Sequence, residues 1–387
     1  MPLVGFPRIL LIGVLVFCLF TGVSFFRQHP QGRLPNFWAH QAANANENSP
    51  FSFKPSPGKF KDIRNSTLGF QKIFLINLPE RPDKFDQFAI AASFTGFTYD
   101  LIEGVKGADV QNKSLPALKG LPATERARNN IVGCWRAHLN AARTIVRNGL
   151  SSALIIEDDA DWDVYIKDQL QEFAAGSQFL SGVTAGPKPH SPYGDDWDLL
   201  WLGHCGAQFT PGDKLQWAIA NDATVPEPNR RANFGGEPDI AAAGYDNSTR
   251  VVFRTSAGAC TYSYALSYRG ARRYLRNQAL LETFTPIDLG ISKMCKSKNT
   301  EFKCFAPFPQ LIDSHKAAGR MSRDSDIAKY SADDVREHGF TFNIVHSIRL
   351  NIDSLLADEN APIQRQWPND PEVIGPPRPR AMVQSQD

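Results

Sequence analysis

Short apolar runs alternate with amphipathic stretches through the middle of the chain. Residues 73–76, 153–156 and 199–202 are continuous apolar runs. Such runs are typical of strands that are buried on both faces, as in a parallel sheet covered by helices. Apolar side chains recur at helical spacing over residues 82–94, 131–148 and 271–281. This alternation predicts an α/β domain with a mainly parallel central sheet flanked by helices.

The N-terminal region has a different pattern. Residues 9–26 carry no charge and are bracketed by Arg8 and Arg27. Eighteen residues is the lower limit for a helix that spans a bilayer. A cleaved signal peptide is the competing interpretation, but the apolar run is long for one and no small-residue cleavage site follows it. We therefore expect a short cytoplasmic tail at 1–8, a transmembrane signal anchor at 9–26 and a lumenal location for the rest.

Three other regions lack the alternating pattern. Residues 27–69 are rich in Pro, Asn, Gln, Ala and Ser, which predicts a flexible stem. Residues 356–387 are rich in proline and are predicted to form a disordered tail. Within the folded domain, predicted at 70–355, residues 176–250 read as a long loop-rich insert apart from the strand near residue 200. Inserts of this length often carry function.

The charge balance and the glycosylation sequons bear on the partners and the location of the protein. The 42 basic and 40 acidic side chains nearly balance, which argues against an electrostatic grip on nucleic acid. Three sequons for N-glycosylation, at Asn65, Asn112 and Asn247, agree with a lumenal location.

The six cysteines add one structural prediction. Cys18 lies in the apolar N-terminal segment, which leaves an odd number for the folded domain. Cys295 and Cys304 are close in sequence, so we predict that they form a disulfide. None of the cysteine spacings is typical of a zinc site.

An acidic cluster directly follows the second apolar run: Glu157, Asp158, Asp159 and Asp161. In an open α/β sheet, ligands bind beyond the carboxyl ends of the strands. Crowded carboxylates repel one another, so a positive group is expected among them. A hard divalent cation such as Mn²⁺ or Mg²⁺ would neutralise them and would also bind diphosphate oxygens. The cluster therefore predicts a metal-assisted site for a phosphorylated ligand.

The acidic cluster has three alternative interpretations besides a metal-assisted site. A solvated acidic loop remains open, although the position after a buried strand weighs against it. An EF-hand fails because Val164 stands where glycine is needed and Leu170 where a bidentate glutamate belongs. A glycosidase carboxylate pair usually comes from two different strands, and spacing alone leaves that alternative open.

Several segments, in order over residues 71–330, resemble glycosyltransferase family 25, the lipooligosaccharide and collagen galactosyltransferase group. The segments are Ile76-Asn-Leu-Pro-Glu-Arg81, Gly133-Cys-Trp-Arg-Ala-His138, Ala153-Leu-Ile-Ile-Glu-Asp-Asp159, Asp198-Leu-Leu-Trp-Leu-Gly203, Tyr264-Ala-Leu-Ser-Tyr-Arg-Gly-Ala271 with Pro286-Ile-Asp288, and Ser325-Asp-Ile327. The chain departs from the family pattern at Ala137, in place of serine, and at Lys84, in place of a second arginine. The long insert is a third departure.

The resemblance implies a GT-A-like fold, a nucleotide-sugar donor (commonly UDP-galactose) and inversion at the anomeric carbon. On that basis Asp159, Asp161 and His315 are candidate metal ligands. Asn77, Arg81, Glu157 and Asp158 are candidate donor-binding residues. His138 and Asp326 are candidates for support behind these groups.

The remaining role is that of a general base, which inversion requires to take the acceptor proton. Asp288 is the candidate, and its alternative role is the N-cap of a helix that begins near Leu289. Arg81 is equally well explained as a solvated loop arginine, and His138 as a buried core histidine.

Together these features predict a type II membrane glycosyltransferase of the Golgi or endoplasmic reticulum. Its substrates would be a UDP-sugar and a glycan or glycoprotein acceptor, with Mn²⁺ or Mg²⁺ as cofactor. Two other classes remain as alternatives: a lumenal glycoside hydrolase that uses the same carboxylates, and a non-catalytic glycan-binding protein with the same fold.

Overall fold

An eight-stranded sheet is the framework of the structure, a computed structural model that describes residues 60–117, 125–182, 188–296, 301–326 and 334–383. Its strands are β1 (Lys72–Asn77), β2 (Asp100–Glu103), β3 (Ser152–Glu157), β5 (Leu199–Phe209), β6 (Leu215–Ala220), β7 (Arg250–Ser267), β8 (Cys304–Phe308) and β12 (Arg378–Val383). Two short ribbons pair β4 (Ala160–Trp162) with β9 (Ile312–Ser314) and β10 (Gly319–Arg320) with β11 (Val335–Arg336). The helices are α1 (Pro82–Thr95), α2 (Glu125–Arg147), α3 (Ile166–Leu180), α4 (Tyr268–Ala279), α5 (Ile287–Lys296) and α6 (Ile348–Ala357).

Strand direction in the main sheet is mostly uniform. β1 pairs in parallel with both β2 and β3, and β5 pairs in parallel with β8. β7 is antiparallel to β3, β5, β6 and β8, and β12 is antiparallel to β6. Six of the eight described strands therefore point the same way, and β7 and β12 point the other way. The predicted α/β class with a mainly parallel, helix-flanked sheet is confirmed, and the architecture is compatible with a GT-A-like fold.

The sheet separates two hydrophobic clusters, because successive side chains of a strand point to opposite faces. In β1, Ile73 and Leu75 belong to one cluster and Phe74 to the other. The first cluster includes side chains of α1, α3 and α6, and the second includes side chains of α2, α4 and α5. Burial on both faces explains why these strands are continuous apolar runs in the sequence.

The predicted anchor at 9–26 and most of the predicted stem lie outside the described residues. Within the described ranges, no helix has the length and apolar character needed to cross a bilayer. The stem boundary at residue 69 is wrong, since Phe60, Ile63 and Leu68 are buried in the first cluster. These apolar side chains are sparse among polar ones, so the average composition concealed them.

The C-terminal boundary also needs correction. Residues 358–383 are not a disordered tail in the structure, because β12 pairs with β6 over its whole length. Pro379 is tolerated there since β12 is the last strand in the sheet order, and an edge strand can lack one N–H donor. The side chain of Asn221 also donates to the carbonyl oxygens of Ile374 and Pro376. The insert at 176–250 is loop-rich as predicted, but it contributes β6 as well as β5.

Candidate active site

The carboxyl ends of β1 and β3 open into a cleft with a volume of about 730 Å³. These strands are neighbours in parallel register, with Ile76 opposite Glu157, so the residues that follow them meet at one edge of the sheet. Among the segments that line the cleft are the end of β3 (Glu157, Asp158, Asp159), helix α2 (Cys134, His138), helix α1 (Lys84) and the 321–326 segment (Asp326). The acidic cluster thus occupies the position that the strand pattern predicts.

Asp158 lines the cleft and is held there by two polar contacts. Its Oδ2 accepts a hydrogen bond of 2.8 Å from Asn77 Nδ2, and its Oδ1 lies 3.4 Å from Lys84 Nζ. Burial raises the pKa of Asp158 to about 6, and the Lys84 ammonium opposes that rise. Asn77 therefore acts through Asp158 and is not itself in the cleft wall.

Lys84 supplies positive charge that the crowded carboxylates require. Its Nζ also lies 3.3 Å from Asp326 Oδ2 across the cleft. Burial by itself would lower the pKa of Lys84, but Asp159, Asp158 and Asp326 together raise it, so the ammonium stays charged. From the sequence, a divalent cation was the group expected to neutralise the carboxylates. Lys84 is a second source of positive charge, and it was not predicted. Its spacing of three residues from Arg81, across the start of α1, was the available signal.

Arg81 is not a solvated loop arginine. Its guanidinium donates to both oxygens of Asp83, at 3.0 Å each, and to Asp326 Oδ2 at 2.6 Å. Asp326 lines the cleft and Arg81 does not, so Arg81 fixes the position of Asp326. Asp326, Arg81 and Lys84 thus form one ion-pair network, which joins the predicted support residue Asp326 to the predicted donor-binding residue Arg81.

Asp159 has one carboxylate oxygen that lacks a partner. Ser314 Oγ donates to Oδ2 at 2.9 Å, whereas Oδ1 is buried and has no hydrogen-bond partner among the described residues. A buried carboxylate oxygen without a donor is costly unless a ligand completes it. Mn²⁺ and Mg²⁺ bind such oxygens, so Asp159, beside Asp158, fits a hard divalent cation.

The structure does not bring Asp161 or His315 into this site. Asp161 is fully buried in β4, where its Oδ2 accepts from the hydroxyls of Thr341 and Ser347. Its Oδ1 accepts from the main chain at the start of α6, so the carboxylate is committed to anchoring that helix. His315 Nδ1 lies 2.9 Å from Thr341 Oγ1. His315 Nδ1 also lies 3.7 Å from Asp161 Oδ2, but neither side chain lines the cleft, so the structure does not join this pair to Asp159 there and the ligand set Asp159–Asp161–His315 stays a prediction.

Glu157 shares a buried network with His138. His138 Nε2 lies 3.2 Å from Glu157 Oε1, and Thr261 Oγ1 donates to the same oxygen at 2.6 Å. The other ring nitrogen, Nδ1, lies 3.0 Å from the Tyr264 hydroxyl. His138 is 1% exposed, which confirms that it is buried, but its two nitrogens both face polar groups. Thr261 and Tyr264 were not predicted from the sequence as site residues.

Asp288 lies in the first turn of α5, not at its N-cap. Its Oδ2 accepts from the main-chain N of Cys260 at 3.1 Å, and its Oδ1 accepts from the N of Leu289 at 2.7 Å. The side chain is partly exposed but does not line the cleft. The structure therefore does not join Asp288 to the acidic cluster, and its role as base stays a prediction.

Four of the described cysteines form two disulfides. Cys295–Cys304 confirms the predicted pair. Cys205–Cys260 joins β5 to β7, and sequence reasoning missed it because the two cysteines are 55 residues apart. Cys134 is free among the described cysteines, and burial raises the pKa of its thiol. The three sequon asparagines, Asn65, Asn112 and Asn247, are all exposed, as N-glycosylation requires.

Comparison with known proteins agrees with the motif resemblance. "Probable inactive glycosyltransferase 25 family member 3" of Bos taurus is 25% identical over 233 residues, which is 58% of this chain and 32% of that protein. "Procollagen galactosyltransferase 1" of Danio rerio is 25% identical over 257 residues, 63% of this chain and 34% of that protein. "Procollagen galactosyltransferase 2" of Homo sapiens is 23% identical over 162 residues, 40% of this chain and 24% of that protein. No protein-family model matches the chain. The chain spans about a third of the length of the first two relatives and a quarter of the third.

Proposed function

We propose that this chain is a glycosyltransferase with a GT-A-like fold that moves a sugar, galactose in the first instance, from a UDP-sugar to a glycan or glycoprotein acceptor. The observation that carries the proposal is the cleft at the carboxyl ends of β1 and β3, with Asp158 and Asp159 in its wall. A volume of about 730 Å³ is in the range of sites for ligands of this size. The relatives named procollagen galactosyltransferases support the choice of galactose.

Donor binding follows from the charges in the cleft. Asp159, through its unpartnered Oδ1, and Asp158 would hold Mn²⁺ or Mg²⁺. When bound, such a cation stabilises negative charge on the leaving nucleotide diphosphate. Lys84 stands between Asp158 and Asp326, where its ammonium can also contact a phosphate oxygen. Arg81 and Asn77 hold Asp326 and Asp158 in place for this task.

The acceptor side needs a base if transfer inverts the anomeric carbon. We assign this role to Asp288, on the family resemblance. Its hydrogen bond to Cys260 N ties it to the strand that also carries Thr261, the partner of Glu157. To act as the base, the carboxylate would exchange this main-chain donor for the acceptor hydroxyl.

We further propose a lumenal location, with residues 9–26 as the anchor in a Golgi or endoplasmic reticulum membrane. The two disulfides support an oxidising compartment. The exposed positions of the three sequons are also compatible with passage through the secretory route.

A non-catalytic binding protein with this fold is the second candidate. The observation in its favour is the word "inactive" in the names of relatives from Bos taurus, Homo sapiens and Rattus norvegicus. Such a protein would keep ligand binding and lack turnover, whereas a glycoside hydrolase would release sugar from a glycan with no nucleotide donor.

A transfer assay separates these functions. The full chain is incubated with each of a panel of UDP-sugars, with glycan and collagen-type peptide acceptors, in Mn²⁺ or in EDTA, and both UDP and glycosylated product are measured. The proposal expects acceptor-dependent UDP release with one donor, lost in EDTA and in Asp159→Asn. Sugar release without any donor would establish the hydrolase, and donor binding without product would establish the binding protein.

A further inference from the structure

A second group of potential metal ligands lies beside the donor site. Cys134 and His138 are four residues apart on α2, so their side chains lie on the same face of the helix. Glu157, at the end of β3, faces them. The Cys134 sulfur, a His138 ring nitrogen and a Glu157 oxygen all lie within 4.8 Å of one another.

From this geometry we propose a transition-metal site, of the Zn²⁺ class, formed by Cys134, His138 and Glu157. It is distinct from the hard-cation site at Asp158 and Asp159. It goes beyond the proposed function, because it would exist whether or not the chain transfers sugar. The cysteine spacing alone predicted no zinc site, since the third ligand comes from a different element of the fold.

The distances fit a tetrahedral ion. With bonds of about 2.0–2.3 Å, ligand atoms of tetrahedral Zn²⁺ stand roughly 3.3–3.8 Å apart. His138 Nε2 and Glu157 Oε1 are already 3.2 Å apart. The remaining separations are at most 4.8 Å, so a movement of about 1 Å would bring them into that range.

The surroundings of His138 favour a ligand role. Metal-bound histidines usually donate their second ring N–H to an oxygen, which fixes the ring and its tautomer. Here Nδ1 lies 3.0 Å from the Tyr264 hydroxyl, and that hydroxyl lies 3.4 Å from the hydroxyl of Tyr274. A proton on Nδ1 leaves Nε2 with a lone pair aimed at Glu157, where the ion would lie.

The state of Cys134 is a second, independent observation. The other four described cysteines form disulfides, so this part of the chain is compatible with oxidising surroundings. Cys134 remains a thiol in the wall of the cleft. A metal-bound thiolate is protected from oxidation, and binding releases the thiol proton to solvent.

The chemistry of the three donors selects the metal. A thiolate, an imidazole and a carboxylate suit Zn²⁺ or Co²⁺, whereas Mg²⁺ and Mn²⁺ prefer oxygen alone. All three residues line the cleft, which leaves a fourth position open to water or a ligand. Three protein ligands with one open position is the pattern of catalytic rather than structural zinc.

The test uses cobalt as a spectroscopic substitute. The full chain is stripped with chelator, Co²⁺ is titrated in, and the near-ultraviolet sulfur-to-cobalt charge-transfer band and the visible bands are recorded. We expect stoichiometric binding with a charge-transfer band and intense tetrahedral visible bands, both displaced by Zn²⁺. Cys134→Ser should abolish the charge-transfer band, and Tyr264→Phe should weaken Co²⁺ binding by about 10–100-fold.

Asp159→Asn is the matched variant that separates the two sites. It should lose donor binding and keep the cobalt spectrum, so a failed donor assay leaves this proposal standing. Melting curves check that each variant is folded. A folded wild-type chain without the charge-transfer band, or a band that Cys134→Ser leaves unchanged, would overturn the proposal.

Discussion

Lys84 Nζ lies 3.4 Å from Asp158 Oδ1, and both side chains are close to fully buried, at 11% and 12% exposed. This pair places a positive charge beside the three consecutive carboxylates at the end of β3, Glu157, Asp158 and Asp159. Lys84 lies on α1, which follows β1 in the chain, so the positive charge comes from a residue more than seventy positions before Asp158 in sequence. Lys84 offsets only part of this negative charge, because the cleft lining sets Glu80, Glu157, Asp158, Asp159 and Asp326 against Lys84 and Lys106.

Removing this ammonium should destabilise the fold. Lys84→Met leaves Asp158 buried beside Asp159 with its counter-charge gone, and breaking a buried pair in this way costs about 3 kcal/mol. Urea unfolding at pH 7 measures the change. Lys84→Arg, which retains the charge, should recover most of the loss.

A surface pair provides the control for Lys84. Lys72 pairs with Asp100 at 2.9 Å, but the two side chains are 45% and 53% exposed. Lys72→Met should therefore change the free energy of unfolding by less than about 1 kcal/mol. Equal losses in Lys84→Met and Lys72→Met would show that burial of the Lys84 pair does not matter.

The role of Asp288 can be separated from its structural contact. Asp288→Asn keeps an oxygen for Cys260 N and removes the proton-accepting carboxylate. If Asp288 is the base, turnover should fall by about 100-fold or more while donor binding is unchanged. Turnover rates and donor affinity are measured side by side. Unaltered turnover would assign Asp288 to the anchoring of Cys260 alone.

Glu172, which does not line the cleft, should make stability depend on pH. It is 4% exposed on α3, and neither carboxylate oxygen has a hydrogen-bond partner among the described residues. Burial, with smaller contributions from Asp222 and Asp168, raises its pKa to about 8 from 4.5. The folded state therefore holds this proton more tightly than the unfolded state, and stability should fall as pH rises from 4.5 through 8.

Glu172→Gln removes that ionisation. Against wild type, its free energy of unfolding should be nearly equal at pH 5 and higher by roughly 3–5 kcal/mol at pH 9. Glu103→Gln, the same substitution at an exposed position, is the matched control. A difference between Glu172→Gln and wild type that stays constant with pH would contradict the assignment.

The two disulfides should contribute unequally to stability. Cys205–Cys260 closes a separation of 55 residues and Cys295–Cys304 one of 9. Loop-closure entropy assigns about 4 kcal/mol to the longer and about 2.5 kcal/mol to the shorter. Replacing each pair by alanine and measuring unfolding in denaturant tests the ranking. A larger loss from the shorter loop would show that native-state contacts outweigh loop entropy here.

The central strands of the sheet and the position of the candidate site could be predicted from the sequence. Apolar runs at β1, β3 and β5 predicted buried strands, and the placement of Asp158 after β3 predicted the cleft. Both predictions rest on local patterns, which a single stretch of chain contains. Side-chain direction beyond the strand end was not predictable. Asp161 lies two residues after Asp159, a spacing that suits two ligands of one metal ion. In the structure, however, its side chain is buried in β4 and accepts hydrogen bonds from Ser347 and Arg349 at the start of α6.

Long-range pairings account for the other misses. The contacts of Lys84 with Asp158 and of Cys205 with Cys260 join residues that no local pattern connects. Edge strand β12 was missed for a related reason. Its proline, Pro379, and the prolines just before it are typical of a disordered tail, and its place at the edge of the sheet makes Pro379 compatible with a strand.

Donor binding at the cleft is the central claim, and one measurement tests it most directly. The melting temperature of the full chain is followed with Mn²⁺ and each of a panel of UDP-sugars, for wild type, Asp159→Asn and the exposed-site control Asp62→Asn. Binding at a hundredfold excess over Kd stabilises the folded state by about 2.7 kcal/mol, which is a measurable rise. We predict a metal-dependent rise with one UDP-sugar that Asp62→Asn keeps and Asp159→Asn loses. No rise with any donor in a folded wild-type chain, or a rise that Asp159→Asn retains in full, would contradict the account.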